Sequence, residues 1–186
     1  MDALTGPAER YGQALMEMAV EQGELETVTR DLALARSVFA QPELAAFMGS
    51  PAVPRQAKME ILETLFAGKI GATLLTFLKV IVDRRSERQL PGIIQAAHYR
   101  CLARQGIDVV FVTTPYPLDD SLRHAIEERL ASVLKKRLFF EYRVNKNLIG
   151  GLVIRRGDEL LDLSVFGMLR RLREMLETSV KLNYER

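Results

Sequence analysis

The stretch LFFEYRVNKNLIGGLVIRRGDELLDLSVFGMLRRL, residues 138–172, decides the fold of this 186-residue chain. Two alternating apolar runs flank Asn145-Lys146-Asn147, and a second tight turn follows at Arg156-Gly157-Asp158, with positive φ expected at its last two residues. Adjacent glycines, Gly150 and Gly151, interrupt what otherwise has the pattern of a strand. Glycine inside a strand is costly unless another group packs closely against the backbone there. The stretch therefore predicts β-strands that contain a closely packed glycine pair.

A helix is predicted immediately after Asp162-Leu163-Ser164, from about Val165 to Thr178. Its apolar residues recur at helical spacing, which predicts a packed face. That face comprises Val165, Leu169, Leu172 and Leu176. The polar tail, residues 179–186, is expected to fray.

The first 105 residues follow a helical period, punctuated by glycine and proline. Successive apolar stripes end at Gly23, before Pro42 and at Gly49, and a helix from Ala72 to Arg84 is apolar on most of its circumference. A helix of that kind lies at the centre of a bundle. The pattern predicts an all-α bundle of six antiparallel helices joined by short loops.

At Gly106 the period changes to two, and a β-rich run begins at Ile107. Asp119-Asp120-Ser121 then caps a helix that precedes the strands of the opening stretch. We therefore predict two domains, a six-helix bundle over residues 1–105 and a small α+β domain over residues 106–186.

The composition excludes several classes of protein. Hydrophobic residues make up 48% and charged residues 27%, as in ordinary globular domains, and the net charge of +2 does not indicate a polyanion partner. The single cysteine, Cys101, excludes an intrachain disulfide, and the pattern around it predicts a small buried side chain. The two histidines, His98 and His124, fall in different predicted domains, so no metal site is expected. Residues 1–31 carry seven acids and two bases, which gives either a solvated face or a surface for a basic partner.

The opening stretch resembles the C-terminal signature of the delta subunit family of F-type ATP synthases, the oligomycin-sensitivity-conferring protein family. The resemblance rests on Leu138, Phe140, Val144, Asn145, Leu148, Gly150, Gly151, Leu152, Ile154, Arg155 and Gly157, and continues through Asp162, Ser164, Val165, Gly167 and Leu169. Leu163, Phe166 and Met168 depart from the family pattern, as does Gly12 in the stretch Tyr11–Leu15, where the family has alanine.

The resemblance implies a non-catalytic stator subunit of a proton- or sodium-translocating ATP synthase, without cofactor or metal. In the family, a groove between the first and fifth helices holds the N-terminal helix of an alpha subunit, and the C-terminal domain contacts the peripheral-stalk b subunits. The implied groove residues are Tyr11, Ala14, Leu15, Met18, Leu78, Ile81 and Val82. The implied location is the cytoplasmic face of the bacterial cell membrane, with the membrane contacted only through the complex.

Two other classes of function remain open from the residues alone. One is an enzyme that binds a small ligand near Gly150-Gly151, although the sequence contains no Gly-rich phosphate loop with a following Gly-Lys-Ser/Thr. The other is an RNA-binding protein that uses Lys135-Lys136-Arg137 together with Arg155-Arg156. We expect neither, because convergent titratable groups and interleaved aromatic residues are absent from the sequence around these segments.

Overall fold

A computed structural model describes the backbone of residues 6–184 and the side chains of residues 6–176. Its contacts divide the chain into two compact units, Met1–Gln105 and Gly106–Arg186. The prediction of a helical N-terminal region followed by a small α+β domain is confirmed. Among helices within residues 6–184, none combines the length and the apolar character that crossing a bilayer requires.

The first unit is helical throughout its described residues. Its helices are α1 (Gly6–Glu21), α2 (Leu25–Phe39), α3 (Pro42–Gly49), α4 (Arg55–Phe66), α5 (Ala72–Asp83) and α6 (Leu90–Arg104), with a short 3-10 helix, Glu87–Gln89, before α6. Pro42 and Pro91 lie in the first turns of α3 and α6, where a missing backbone N–H costs nothing. Gly23 takes a φ of +70° directly after α1, a value that glycine adopts without strain.

The core of the first unit is built from the apolar stripes of all six helices. Its fully buried side chains include Leu15, Leu32, Leu62, Phe66, Leu74, Leu78, Ile81, Ile93 and Ile94. Burying each such side chain contributes about 1.5–3 kcal/mol to folding. The backbones of α1 and α6 approach closely at Gly12, where a Cβ atom would lie 2.8 Å from the nitrogen of Ala97. The departure from alanine at Gly12 therefore matches a tight helix crossing.

A buried carboxylate joins α2 to α5. Asp31 is only 6% exposed, and its Oδ2 accepts a hydrogen bond of 2.7 Å from the backbone N–H of Gly71. Gly71 is the residue before α5, where N–H groups lack partners inside the helix. Asp31 thus supplies from a neighbouring helix the capping contact that the α5 sequence does not carry.

The second unit contains a four-stranded sheet. Its elements are β1 (Ile107–Thr114), α7 (Asp120–Leu134), β2 (Arg137–Val144), β3 (Val153–Arg156), β4 (Glu159–Asp162) and α8 (Val165–Tyr184). The strand order is β2-β1-β3-β4, in which β1 pairs parallel with β2 and antiparallel with β3. The helix α7 is the crossover that parallel neighbours require. Its side chains Ile126 and Leu130 pack against the buried Val110, Val112 and Ile154.

The structure gives the order of the strands and corrects the prediction at the glycine pair. The runs on either side of Asn145-Lys146-Asn147 are not neighbours, because β1 lies between β2 and β3. Gly150 and Gly151 lie in the loop before β3 and not inside a strand. Gly151 adopts a φ of +76°, which an extended strand does not contain.

The second predicted turn is present and joins β3 to β4. Arg156 pairs with Glu159, so the loop has two residues, Gly157 and Asp158. Gly157 takes a φ of +54°, whereas Asp158 does not have positive φ. The prediction is right for the glycine and wrong for the aspartate.

The last helix differs from its prediction in length and in packing. It continues to Tyr184, six residues beyond the predicted end at Thr178, and Glu185 and Arg186 lie outside the described residues. The expected fraying of the tail stays a prediction. Leu169, Leu172 and Leu176 are 54–58% exposed, although their spacing predicted a packed face. Helical spacing of apolar residues identifies a face that requires a partner, but it does not say whether the partner belongs to the same chain.

Candidate partner-binding surfaces

Helices α1 and α5 lie side by side on the surface of the first unit. The ring of Tyr11 meets that of Phe77 edge to face, with centroids 6.5 Å apart. At the other end of this pair, Thr73 Oγ1 lies 2.8 Å from Gln22 Oε1 and 2.7 Å from Glu24 Oε2. These contacts link α5 to α1 and to the segment that follows α1.

The seven predicted groove residues fall into two groups. Leu15, Leu78 and Ile81 are fully buried and Val82 is 1% exposed, so these four belong to the core and cannot contact a partner directly. The remaining three are accessible: Tyr11 is half-buried, Ala14 is exposed and Met18 is 37% exposed. Only the accessible group can form a binding surface.

An accessible residue of α5 lies outside the set that the resemblance implies. Val80 is 44% exposed and lies on the same helix edge as Thr73 and Phe77, the two residues that contact α1 or the turn after it. The spacing 73, 77, 80 is the i, i+4, i+7 pattern of a single helix face. That pattern identifies the edge of α5 nearest α1, whereas the predicted residues mark its buried side.

In the second unit, the signature residues around Asp162 build the start of α8. The Oδ1 atom of Asp162 accepts hydrogen bonds from the backbone N–H of Ser164 at 2.9 Å and from its hydroxyl at 2.5 Å. The Ser164 hydroxyl oxygen accepts in turn from the N–H of Gly167 at 3.0 Å, as a helix N-cap does. A Cβ atom at Gly167 would lie 2.5 Å from the Asp162 carboxylate, so this network requires glycine there.

The electrostatics of this cap follow from its hydrogen bonds. The pKa of Asp162 is lowered from its ordinary value, first by the Ser164 hydroxyl, then by the Ser164 backbone N–H and by the charges of Arg170 and Arg171. Because these donors favour the ionised carboxylate, Asp162 remains charged throughout the neutral range. The residue has a structural role, since its Oδ1 atom accepts both hydrogen bonds from Ser164 at the start of α8.

The glycine pair packs against the same helix terminus. Val165 donates its N–H to the carbonyl of Gly150 at 3.1 Å, and Leu163 donates to Leu152 at 2.9 Å. A Cβ atom at Gly151 would lie inside the contact distance of the Leu163 carbonyl oxygen and 3.0 Å from Ser164 Cα. The close approach predicted from the sequence is present, and it occurs between a loop and a helix start.

The other signature residues also have roles in the fold. Leu138, Phe140 and Ile154 pack in the small core with α7, and Leu148 is half-buried. Asn145 donates its N–H to Thr114 at 2.8 Å and accepts from the N–H of Asn147 at 3.0 Å, which forms a compact turn. Two positions face outward, since Val144 is 49% exposed and Arg155 lies over the ring of Phe111 at 4.7 Å. Most of the signature residues therefore have structural roles in the second unit.

The residues that could have indicated an enzyme have structural explanations. Gly150 and Gly151 are accounted for by packing against α8. His98 is 2% exposed, with Nδ1 3.1 Å from a guanidinium nitrogen of Arg36. Cys101 is fully buried, and burial raises the pKa of its thiol to about 11, against a smaller opposing effect of a hydrogen bond with Thr29. Among the residues described, no group of three or more His, Cys, Asp or Glu side chains could hold a metal ion.

Three of the five basic residues that left RNA binding open, Lys136, Arg155 and Arg156, contact acids or an aromatic ring. Asp108 Oδ2 lies 3.0 Å from Lys136 Nζ and 3.6 Å from Arg156 Nη1, and Arg156 also pairs with Glu159. Arg155 is stacked on Phe111. Asp108 and Glu159 thus offset the charge of Lys136 and Arg156, two of the residues on which a phosphate-binding surface would depend.

The second unit exposes a large amount of apolar surface. On α8 the exposed apolar side chains are Phe166, Met168, Leu169, Leu172, Met175 and Leu176, each 51–64% exposed. On β4, an edge strand, Leu160 is 64% and Leu161 51% exposed. Scattered exposed apolar residues are ordinary, whereas a continuous helix face of them marks an interaction surface.

The helical unit exposes side chains on the neighbouring helices α1 and α5, and the α+β unit exposes an apolar face of α8 over its described side chains. The chain belongs to the ATP synthase delta (OSCP) subunit family, whose model matches residues 8–176. Members of this family are non-catalytic subunits of the F-type ATP synthase, so the chain has no catalytic role of its own.

The similarity to known proteins covers nearly the whole chain. The chain is 36% identical to the ATP synthase subunit delta of Symbiobacterium thermophilum, over 91% of each protein. It is 32% identical to that of Carboxydothermus hydrogenoformans, over 91% of this chain and 96% of the relative. Its fold matches a chain in the cryo-EM structure of the Toxoplasma gondii mitochondrial ATP synthase hexamer with a TM-score of 0.73 and 22% identity, covering 91% of this chain and 96% of that one.

Proposed function

We propose that this protein is a stator subunit that links the alpha/beta catalytic head of the ATP synthase to the peripheral stalk. It resists the torque of the rotor, so that rotation drives ATP synthesis and does not turn the head. The observation that carries the proposal is the presence of two units with separate cores, each with its own accessible apolar surface. A mechanical link requires a separate attachment at each end.

The attachment to the head is the α1–α5 surface over residues 1–105. An amphipathic helix from the N-terminus of an alpha subunit suits it, because such a helix buries its apolar face in a defined register. Tyr11, Met18 and Val80 supply the apolar contacts, and the small side chain of Ala14 permits close approach of the partner helix. Leu15, Leu78, Ile81 and Val82 support this surface from the core beneath it.

The attachment to the stalk is the second unit, residues 106–186. The exposed face of α8, centred on Leu172, suits the C-terminal helices of the peripheral-stalk b subunits. Phe166 lies near this face. Its apolar ring occupies a position at which the family usually has a charged residue. The departures at Leu163 and Phe166 therefore add apolar area to the stalk contact.

The two attachments act together within one complex. Once one partner is bound, the other binds at the effective concentration that the assembly imposes, which raises the overall strength of the link. The protein works at the cytoplasmic face of the bacterial cell membrane and reaches the membrane only through the complex. Nucleic acid has no part in this function.

The test of the head attachment is a charge placed at Ala14. The side chain is exposed in the free protein, so Ala14→Asp leaves the fold intact and buries an unpaired carboxylate only in the complex. Affinity for a fluorescent peptide of the alpha N-terminus should fall by about 2–3 kcal/mol. The matched control is Ala33→Asp, at an exposed alanine within α2. Wild-type affinity in Ala14→Asp, or an equal loss in both variants, would contradict this location.

The stalk attachment has a parallel test. Leu172→Asp should weaken binding of a peptide from the C-terminal end of the stalk b protein by a similar amount, because a charge replaces an apolar contact. Leu122→Asp on α7 is the control, since Leu122 is 51% exposed and Leu172 is 54% exposed. Equal affinities for the two variants would show that the stalk binds elsewhere.

A further inference from the structure

A cationic cavity lies within the first unit. Its volume is about 550 Å³, and it lies between the start of α4 and the segment that joins α5 to α6. Four of its lining residues are positively charged, namely Arg55, Lys58, Arg85 and Arg88, and a single acid, Glu87, stands among its described lining residues. Arg55 also pairs with Asp83 at 2.6 Å. With Glu87 and Asp83 counted, this group of side chains has a net charge of +2.

The cavity has a fixed ion pair at one side. The side chain of Lys58 is only 3% exposed, and its ammonium lies 2.6 Å from Glu87 Oε1. Burial raises the pKa of Glu87, but the hydrogen bond from Lys58, a backbone hydrogen bond and the charges of Lys58 and Arg85 outweigh burial, so that the pKa is lowered overall. Glu87 is therefore ionised. Its Oε1 atom pairs with Lys58, whereas its buried Oε2 atom has no hydrogen-bond partner among the described residues.

The remaining positive charge belongs mainly to two arginines. Arg88 donates from Nε to the carbonyl of Gly49 at 3.0 Å, which holds its guanidinium in place and leaves its terminal nitrogens as donors. Arg85 has a φ of +54°, uncommon for a residue with a side chain, and its backbone N–H donates to Val82 at 3.0 Å. Among the described residues, the Arg85 side chain has no hydrogen-bond or ion-pair partner.

We propose that this cavity binds the phosphate group of a small phosphorylated molecule. The doubly charged anion of a phosphate monoester balances the net charge of +2, whereas one carboxylate would balance half of it. Guanidinium groups present paired N–H donors that match phosphate oxygens. The volume is that of a small-molecule site, and Pro51, Val53 and Pro54 provide an apolar wall for the organic part of the ligand. This inference does not depend on the proposed stator role.

The test is calorimetric titration of the full chain with inorganic phosphate and with pyrophosphate, at constant ionic strength. We expect binding at one site, and about tenfold weaker binding in Arg85→Gly, because a charge-assisted contact is lost. Glycine accepts the φ of residue 85 without strain, so this variant keeps its fold, which its melting temperature checks. The matched control is Arg84→Ala, which removes the same charge from the neighbouring residue and should bind as the wild type does.

Three results would overturn the proposal. The first is the absence of binding by either anion at millimolar concentration. The second is an equal loss in Arg85→Gly and Arg84→Ala, which would indicate a general charge effect. The third is tight binding of a glutamate-rich peptide that pyrophosphate does not displace, which would make the cavity a protein-binding site. Binding to phosphatidic acid vesicles that is lost in Arg85→Gly and competed by pyrophosphate would support the same chemistry with a lipid as its source.

Discussion

Gly151 offers the sharpest test of the packing in the second unit. Changing this residue to alanine lowers the free energy of unfolding for two separate reasons. A φ of +76° costs a residue with a side chain about 1–2 kcal/mol. The added Cβ atom would also meet the Leu163 carbonyl and would lie 3.0 Å from Ser164 Cα, both backbone atoms that cannot rotate away. Overpacking of this kind costs about 1–3 kcal/mol, so we expect a total of about 2–5 kcal/mol.

Gly157 provides a matched control for the first penalty alone. It has a φ of +54°, and a Cβ atom there would meet nothing within 4 Å. Gly157→Ala should therefore cost only about 1–2 kcal/mol. The difference between the two variants isolates the cost of the close approach between the glycine loop and the start of α8.

The assay is hydrogen exchange of the full chain in increasing urea, read by mass spectrometry. Amides of β1 and β3 report the free energy of unfolding of the second unit, and amides of α6 report that of the first unit. We expect Gly151→Ala to lower the free energy of unfolding of the second unit. The free energy of unfolding of the first unit and the affinity for the alpha peptide should stay unchanged. Equal destabilisation by Gly151→Ala and Gly157→Ala would refute the packing explanation.

Three further predictions concern the first unit, its buried thiol and the cap of α8. A fragment of residues 1–105 should melt cooperatively by circular dichroism, because the first core cluster closes within these residues, and a gradual melt would argue against an autonomous unit. Cys101, with a pKa raised to about 11 by burial, should react with a thiol reagent at pH 8 only at the rate of unfolding; rapid labelling of the native protein would contradict its burial. The pKa of Asp162 is lower when folded than its ordinary value of 3.8, so its contribution to stability is complete above that value and is lost as the pH falls below it. Asp162→Asn should therefore show a smaller loss of stability between pH 5 and pH 3 in urea titrations, and a pH dependence identical to the wild type would argue against the cap.

Local patterns predicted the elements, because each pattern depends on near neighbours in the sequence. The apolar stripe beginning at Leu25 and ending before Pro42 corresponds to α2, and Asp119 caps α7 as predicted, since its carboxylate accepts the N–H of Leu122 at 2.8 Å. The change of period at Gly106 coincides with the start of the second unit. Family membership could also be predicted, because the signature residues are constrained by the fold itself.

Long-range relations could not be predicted from those patterns. The insertion of β1 between β2 and β3 depends on pairing between residues far apart in sequence, such as Val112 with Tyr142. The glycine pair predicted a close packing contact with the backbone of residues 150 and 151. It did not identify the neighbour, which is the backbone of Leu163 and Ser164. On α5, apolar character alone did not separate buried Ile81 from accessible Val80, because the helix is apolar around most of its circumference.

The proposed stator role requires that one chain hold two partners at once, one on each unit. Native mass spectrometry of the full chain mixed with an alpha N-terminal peptide and a peptide from the C-terminal end of the stalk b protein tests it directly. We predict a complex that contains all three components, from which Ala14→Asp removes only the alpha peptide and Leu172→Asp only the stalk peptide. Displacement of one partner by the other, or loss of both in a single variant, would contradict the claim that the protein bridges the head and the stalk.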